Sequence, residues 1–251
     1  MSRRIVVKVG TGVVSNDTGE LDQEILRRLV DQIVQLCEKG IHVVLVTSGA
    51  VGAGKGILSK SGTGSPVVQK QLYAAVGQVK LMSIYAQLFD RHGYSCAQVL
   101  ATKEDFRDEM HYENMKNCLN ALLPDGVVPI INENDVVATT ELMFSDNDEL
   151  AGLVVSLLEA DTLVVLTSTD GILDADKKTV PEVRADNKRE VESFISDDTS
   201  SNGRGGMRTK FAIATELSQH GTTVYIANGK SENVLTDIFS GISRGTRFAA
   251  I

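Results

Sequence analysis

Lys8 stands inside an apolar run, Ile5-Val6-Val7-Lys8-Val9, that leads directly into Gly10-Thr11-Gly12. An ammonium group in the core-facing part of a strand is costly unless it meets an anion. The glycines that follow allow backbone N–H groups to approach that anion closely. A second place of this kind lies far along the chain. Gly203-Arg204-Gly205-Gly206-Met207-Arg208-Thr209-Lys210 opens an apolar-periodic stretch and puts Lys210 in the first turn of a helix. Glycine flexibility, a helix N-terminus and positive charge together suit a phosphate group. Two such sites in one chain imply a phosphate handled from both sides.

Other polar residues fall where strands end and helices begin. They are Thr47-Ser48-Gly49-Ala50, Asn132-Glu133-Asn134-Asp135, Asp146-Asn147-Asp148 and Thr167-Ser168. In a parallel sheet these strand ends share one edge, which is where α/β folds bind ligands. Plainer readings exist for each: Asp146 as a helix N-cap, Asp148 as a complement to the helix dipole, Asn134-Asp135 as turn residues. The run Gly49-Ala50-Val51-Gly52-Ala53-Gly54-Lys55-Gly56 matches a P-loop until its last position, where Gly56 lacks the hydroxyl that would meet Mg²⁺. A true P-loop is therefore not expected, although Gly49 and its neighbours still offer N–H groups to an anion.

The elements that must position these residues alternate almost from end to end. Strands are predicted over 5–9, 41–47, 95–100, 127–131, 162–167 and 223–227. Helices are predicted over 21–38, 67–91, 113–123, 147–159, 207–220 and 232–239. The first helix carries Leu21, Ile25, Leu29, Ile33 and Leu36 on one stripe, and Gly40 stops it. The segment 136–144 alternates and reads as a small β excursion. The fold class is α/β: a three-layer αβα sandwich with a largely parallel central sheet. Two glycine-rich polar stretches, 52–65 and 197–206, read as loops over a ligand. One domain spanning residues 1–251 is expected.

The formal net charge of −8 over 251 residues argues against general affinity for nucleic acid or anionic membrane. No apolar run approaches the ~20 residues of a membrane span, and no signal peptide is visible at the start. Cys37, Cys96 and Cys118 are odd in number and far apart, which predicts buried reduced thiols and a cytoplasmic location. The four histidines show no ligand spacing, and none is assigned to a metal or to catalysis.

The residues gathered so far carry a resemblance. Val7-Lys8-Val9-Gly10-Thr11, Val46-Thr47-Ser48-Gly49-Ala50, Lys70-Gln71-Leu72 with Ala75-Val76-Gly77-Gln78, Pro129 through Asp135, Asp146-Asn147-Asp148 and Gly205-Gly206-Met207 with Thr209-Lys210 are similar to the amino acid kinase family, and within it to the glutamate 5-kinase branch. The resemblance implies ATP-dependent phosphorylation of the γ-carboxylate of L-glutamate, the first step of proline synthesis. It implies that Lys8 and Lys210 flank the transferring phosphoryl group and that Asp148 orients both. It puts L-glutamate at Ser48, Gly49, Ala50, Asp135 and Asn147. It puts ATP at Lys8, Gly10, Thr167, Ser168 and the run Arg204, Gly205, Gly206, Met207, Arg208, Thr209 and Lys210. Mg²⁺ is expected with ATP, and no protein metal-ligand set is assigned. The other kinases of this fold, acting on acetylglutamate or a nucleotide, are the nearest alternatives. A nucleotide-sensing regulator is a third, against which the retained Lys8, Asp148 and Lys210 count.

The chemistry suits these residue types. A glutamate carboxylate, with a reference pKa of ~4.3, is already a nucleophile at neutral pH and needs no general base. The difficulty is bringing an anion against a polyanion, which lysines, helix N-termini and Mg²⁺ relieve. The chain departs from the family at Ser168, where Asp is usual, and at Arg204, where a small residue is usual. It stops after Gly245-Thr246-Arg247-Phe248, where many relatives continue into an RNA-binding-like PUA domain. The resemblance further implies a homo-oligomer, L-proline as feedback inhibitor, and hand-off to glutamate-5-semialdehyde dehydrogenase.

Overall fold

The computed structural model of the chain describes residues 3–16, 18–58, 64–138, 144, 146–195 and 206–251. In chain order its elements begin with β1 (Arg4–Val9), α1 (Thr11–Val14), α2 (Gln23–Glu38), β2 (His42–Val46) and α3 (Ala50–Ile57). Next come α4 (Pro66–Asp90), β3 (Cys96–Ala101), α5 (Glu109–Leu122), β4 (Val128–Glu133), α6 (Asn147–Leu158) and β5 (Thr162–Thr167). The last are β6 (Glu182–Val183), α7 (Lys188–Ser193), α8 (Met207–Gln219), β7 (Thr223–Asn228), α9 (Val234–Phe239) and β8 (Thr246–Phe248).

The strands form one sheet in the order β3-β4-β2-β1-β5-β7-β8-β6. All neighbouring pairs are parallel except β7 with β8. Side chains alternate across β1, since successive residues of a strand point to opposite faces. Ile5, Val7 and Val9 join α2, α4 and α9 in one apolar cluster. Val6 joins α6 and α8 in the other. The sandwich therefore has three layers, as expected, with a core on each face of the sheet. Lys8 shares the face of Val6, so it points into the layer made by α6 and α8. Those are the helices that carry Asp148 and Lys210.

Local sequence explains the element ends. Asp22 caps α2 by accepting from the N–H groups of Glu24 and Ile25, both at 3.1 Å. Ser65 caps α4, with Pro66 in its first turn. Asp108 caps α5 by accepting from His111 N–H at 2.9 Å, so this helix starts before the predicted residue 113.

Some expectations fail. Residues 52–57, expected in a loop, belong to helix α3. The reason is a backbone-to-backbone contact with α4: a Cβ at Gly77 would lie 1.7 Å from Ala50 O, and one at Gly54 would lie 1.9 Å from Tyr73 O. The glycines permit close helix packing rather than loop freedom. Residues 135–137 form a turn after β4 instead of starting a β excursion, and 139–143 lie outside the described residues. Asn132 and Glu133 are the last residues of β4 rather than residues beyond it. The thiols are less buried than expected: Cys37 and Cys96 are half-buried and Cys118 is exposed. Burial pushes the Cys37 thiol up to about 11, which keeps it protonated at neutral pH. Among the described residues no helix is long and apolar enough to cross a membrane.

Candidate active site

The carboxyl ends of β1, β2, β4 and β5 bring most of the predicted residues to one edge. At its centre Asp148, 1% exposed, lies between two lysines. Its Oδ1 is 2.6 Å from Lys8 Nζ and its Oδ2 is 2.8 Å from Lys210 Nζ. Both lysines are buried as well. Burial would raise the Asp148 carboxyl, but the charges of Lys8 and Lys210 outweigh it and hold the group below the ordinary carboxylate range. Two ammonium groups thus converge on one buried carboxylate, and Asp146 is close enough to feel the charge of both. Buried cations of this kind are stable only beside anions, and a phosphate group would be one more.

The backbone around this centre is shaped for a ligand. A Cβ at Gly10 would lie 3.6 Å from Lys8 Nζ, so the lysine head group folds over the glycine turn. Gly10 N–H donates to Leu166 O at 3.2 Å, tying the turn to β5. Ser168 follows β5, and its Oγ lies 3.8 Å from where a Gly12 side chain would begin. Thr167 ends β5, and its carbonyl accepts from Gly229 N–H at 2.9 Å. Gly206 is the N-cap of α8 and provides no side-chain cap, which leaves first-turn N–H groups for an anion. Met207 and Thr209 lie in that first turn, half-buried. Arg208 is exposed, and its guanidinium reaches Ile195 O at 3.4 Å, so it is not gathered to the centre in this arrangement. Arg204 and Gly205 lie outside the described residues.

On the other side of Lys8 the amides form a chain. Asn147 Nδ2 donates to Thr47 O at 2.5 Å, to Ser48 Oγ at 3.0 Å and to Asn132 Oδ1 at 3.0 Å. Asn132 Oδ1 also accepts from Glu133 N–H at 2.9 Å, and its Nδ2 donates to Gln78 Oε1 at 2.9 Å. Gly49 is held at φ 106°, and a Cβ there would lie 2.9 Å from Val14 Cγ2. Only glycine fits both constraints. Gly49 caps α3 without a side-chain bond, and Ala50 begins that helix, so the N–H groups beside Ser48 are free of a side-chain cap.

Two carboxylates have unusual surroundings. Asp146 is the N-cap of α6, its Oδ1 accepting from Asp148 N–H at 2.9 Å and Glu149 N–H at 3.1 Å. Among the described residues its Oδ2 is buried without a hydrogen-bond partner. Burial, then the charge of Asp148, raises the Asp146 carboxyl, with Lys8 opposing. Glu133 is raised by burial and then by the charge of Asp135, while Phe144 N–H and Lys70 oppose. Asp135 itself is ion-paired with Lys70.

A cavity of about 270 Å³ opens beyond β5 and β7, lined in part by Asp170, Ala227, Asn228, Ser231 and Arg244. Asn228 Nδ2 donates to Asp170 Oδ1 across it at 2.9 Å. A polar amide site thus lies toward β2 and β4, and a cavity lies at the carboxyl end of β7.

Residues 3–228 match the model of the amino acid kinase family. The chain belongs to that family. It is 48% identical to the glutamate 5-kinase of Chlorobaculum tepidum over 99% of this chain and 69% of the relative. It is 43% identical to the glutamate 5-kinase of Bacteroides thetaiotaomicron over 94% of this chain and 66% of the relative. The chain thus spans about two thirds of the length of these relatives. Among solved structures, carbamate kinase from Giardia lamblia bound to AMP-PNP superposes with a TM-score of 0.72 at 17% identity, covering 100% of this chain and 99% of that one. N-acetylglutamate synthase from Neisseria gonorrhoeae gives 0.69 at 16% identity, covering 99% of this chain and 62% of that one. At these identities the two structures speak to the fold alone.

In this amino acid kinase the sequence pointed to Lys8, Asp148, Lys210, Ser48 and Asn147, and the structure brings them together. It did not assign roles to Gln78 or Lys70, although both stand in the quoted motif. Their partners are 54 and 65 residues away, so no local pattern marks them.

Proposed function

We propose that this chain transfers the γ-phosphoryl group of ATP to the γ-carboxylate of L-glutamate, giving L-glutamyl 5-phosphate, the first step of proline synthesis. The observation that carries the reading is the buried Lys8–Asp148–Lys210 group, two ammonium groups converging on one carboxylate. The names of the relatives, glutamate 5-kinase in each case, supply the acceptor.

The reaction forms a bond between a γ-carboxylate oxygen and the γ-phosphorus and breaks the bond from that phosphorus to the β–γ bridging oxygen. ADP leaves with the bond's electrons. The carboxylate is ionised at neutral pH, so no residue has to remove a proton. Lys8 approaches from the β1 turn and Lys210 from the first turn of α8, and both meet charge on the transferring group. Asp148 lies between the two ammonium groups and holds both in place. Asn147, Ser48 and the uncapped start of α3 hold the acceptor. Thr167, Ser168 and the uncapped start of α8 hold the phosphates, and the cavity beyond β5 and β7 receives the nucleoside.

Magnesium fits this site with a limited protein share. Both oxygens of Asp148 are engaged by lysines, whereas Asp146 Oδ2 is a buried hard acceptor without a hydrogen-bond partner among the described residues. Asp146 would hold the ion together with the oxygens of ATP, and the ion supplies neutralisation of phosphate charge. The same reading carries a cytoplasmic enzyme, a homo-oligomer and L-proline as a competitor for the acceptor site. It also carries hand-off of the labile acyl phosphate to glutamate-5-semialdehyde dehydrogenase.

The test is turnover of ATP and Mg²⁺ by the purified chain with L-glutamate, N-acetylglutamate, UMP or carbamate, trapping acyl phosphate as the hydroxamate. Hydroxamate from L-glutamate at a rate well above the other acceptors is expected. Preference for another acceptor would overturn the assignment.

A further inference from the structure

L-glutamate brings three charged groups to its site. Phosphoryl transfer uses the γ-carboxylate, so the α-ammonium and α-carboxylate remain to be recognised. The acceptor residues named above, Ser48, Gly49, Ala50, Asp135 and Asn147, include a carboxylate for the ammonium but no cation. Lys70 provides one beside them. It projects from the start of α4, and its Nζ is ion-paired with Asp135 Oδ1 and lies 3.9 Å from Glu133 Oε2. The same turn of α4 is fixed to the β4 turn by Gln71 Nε2, which donates to Val136 O at 2.9 Å. The lysine side chain is 27% exposed, against 11% for Asp135. Its ammonium has three donors, and a partly open head group can direct one outward to a ligand.

We propose that Lys70 receives the α-carboxylate of the acceptor substrate while Asp135 receives its α-ammonium, so that the adjacent pair reads the zwitterion. This rests on the glutamate reading above. A lysine and a carboxylate held side by side present opposite charges in the order the substrate's own Cα substituents require. Each ion of the substrate then meets its opposite, and neither protein charge is left unpaired on binding. Lys70 is on this account a specificity-determining residue, separate from the lysines at the phosphoryl group. A purely structural lysine, one that only neutralises Asp135 and Glu133, would affect all acceptors alike.

The experiment compares L-glutamate with isoglutamine, in which the α-carboxylate is an amide and the γ-carboxylate is retained. Isoglutamine is measured by turnover or, below detection, as a competitive inhibitor against glutamate. The unmodified enzyme should favour glutamate by about 10- to 100-fold, the scale of one charge-assisted hydrogen bond. Lys70→Met should lower kcat/KM for glutamate by a similar factor through KM, and change isoglutamine and the KM for ATP far less. Lys70→Arg should recover most of the loss. Equal treatment of the two acceptors by the unmodified enzyme would overturn the proposal, even if Lys70→Met failed to fold. So would an equal loss on both acceptors in Lys70→Met, or a Lys70→Arg variant as poor as Lys70→Met. Absence of hydroxamate from either acceptor with the unmodified enzyme would instead remove the glutamate reading.

Discussion

Asn147 Nδ2 and Asn132 Oδ1 lie 3.0 Å apart, and backbone groups at both residues fix which amide atom faces which. Asn147 must point its nitrogen at Thr47, because Thr47 O only accepts. Asn132 must point its oxygen at Glu133, because Glu133 N–H only donates. The Asn132 nitrogen is thereby committed to Gln78 Oε1. Donation runs in one direction, from the start of α6, through β4, to α4, and it needs no assumption about flips.

Gln78→Met keeps the volume but removes the acceptor at the far end of this chain. The Asn132 amide is then left with an unsatisfied buried donor, at a cost of about 1–3 kcal/mol. Asn147, which also reaches Ser48, loses its fixed support. We expect the KM for glutamate to rise by roughly 10-fold, on the scale of that cost, with the KM for ATP nearly unchanged. Steady-state kinetics with each substrate varied in turn decides it. A parallel rise for both substrates would show that the amides do not act on the acceptor side.

Gly77→Ala tests the contact between α3 and α4. On helix propensity alone the change is favourable by roughly 1 kcal/mol. A Cβ at Gly77 would stand 1.7 Å from Ala50 O and 2.5 Å from Gly54 N, both backbone atoms that cannot rotate away. The helices must separate, and overpacking of this kind costs about 1–3 kcal/mol or more. Denaturant unfolding should therefore show a clear net loss of stability. A gain would mean that the helices part without cost.

The proposed catalytic centre is legible because its residues break local rules. A lysine on a buried strand and a glycine run before a helix are both expensive without a ligand, so Lys8 and Lys210 stand out. The largely parallel three-layer sandwich around them follows from the alternation of apolar strands and helices, whereas the order of strands in the sheet does not. By contrast, Gly52, Gly54 and Gly56 were read as loop residues because glycine disfavours helix. Their packing partner, α4, is not visible from within the segment. The strands β6 and β8 have two and three residues, too few for a period to show. Lys70 reads like any helix-surface lysine until α4 is laid against the turn after β4. Long-range pairing is what a single sequence hides, and the amide chain, the Lys70–Asp135 pair and the helix contact all depend on it.

Glu133 gives a prediction for pH. Its folded-state pKa is raised above the ordinary glutamate value of 4.5, first by burial and then by the charge of Asp135. A raised carboxyl lowers stability once pH exceeds the raised folded value, and the penalty fades as pH falls toward 4.5, the unfolded value. Glu133→Gln removes that penalty while its amide oxygen can still accept from Phe144 N–H, the 2.8 Å bond made by Glu133 Oε1. The stability of the variant minus that of the unmodified protein should therefore be more favourable at pH 7 than near pH 4. Urea unfolding at the two pH values measures the difference. The opposite sign would mean that the Lys70 and Phe144 contacts outweigh burial at Glu133.

Lys210→Ala and Asp148→Asn separate the two kinds of work at the centre. On the proposed reading, Lys210→Ala removes one of the two positive groups that face the transferring phosphoryl. Loss of a single such contact costs about 10²–10³ in rate. Asp148 loses one partner but keeps Lys8 at 2.6 Å, so the fold should survive. Asp148→Asn is different in kind. It leaves Lys8 and Lys210 buried and facing each other without the anion that separates them. Removing one partner from a buried charge pair is strongly destabilising, by about 3–5 kcal/mol. ATP, itself an anion, should return part of that loss by occupying the same place. The expected pattern is a folded, nearly inactive Lys210→Ala and an Asp148→Asn whose melting temperature is low but rises more on adding ATP than that of the unmodified protein. Thermal melts with and without nucleotide, beside single-turnover rates, give both readouts. An Asp148→Asn variant as stable as the unmodified protein without ATP would mean that the lysines do not need Asp148 to share the site.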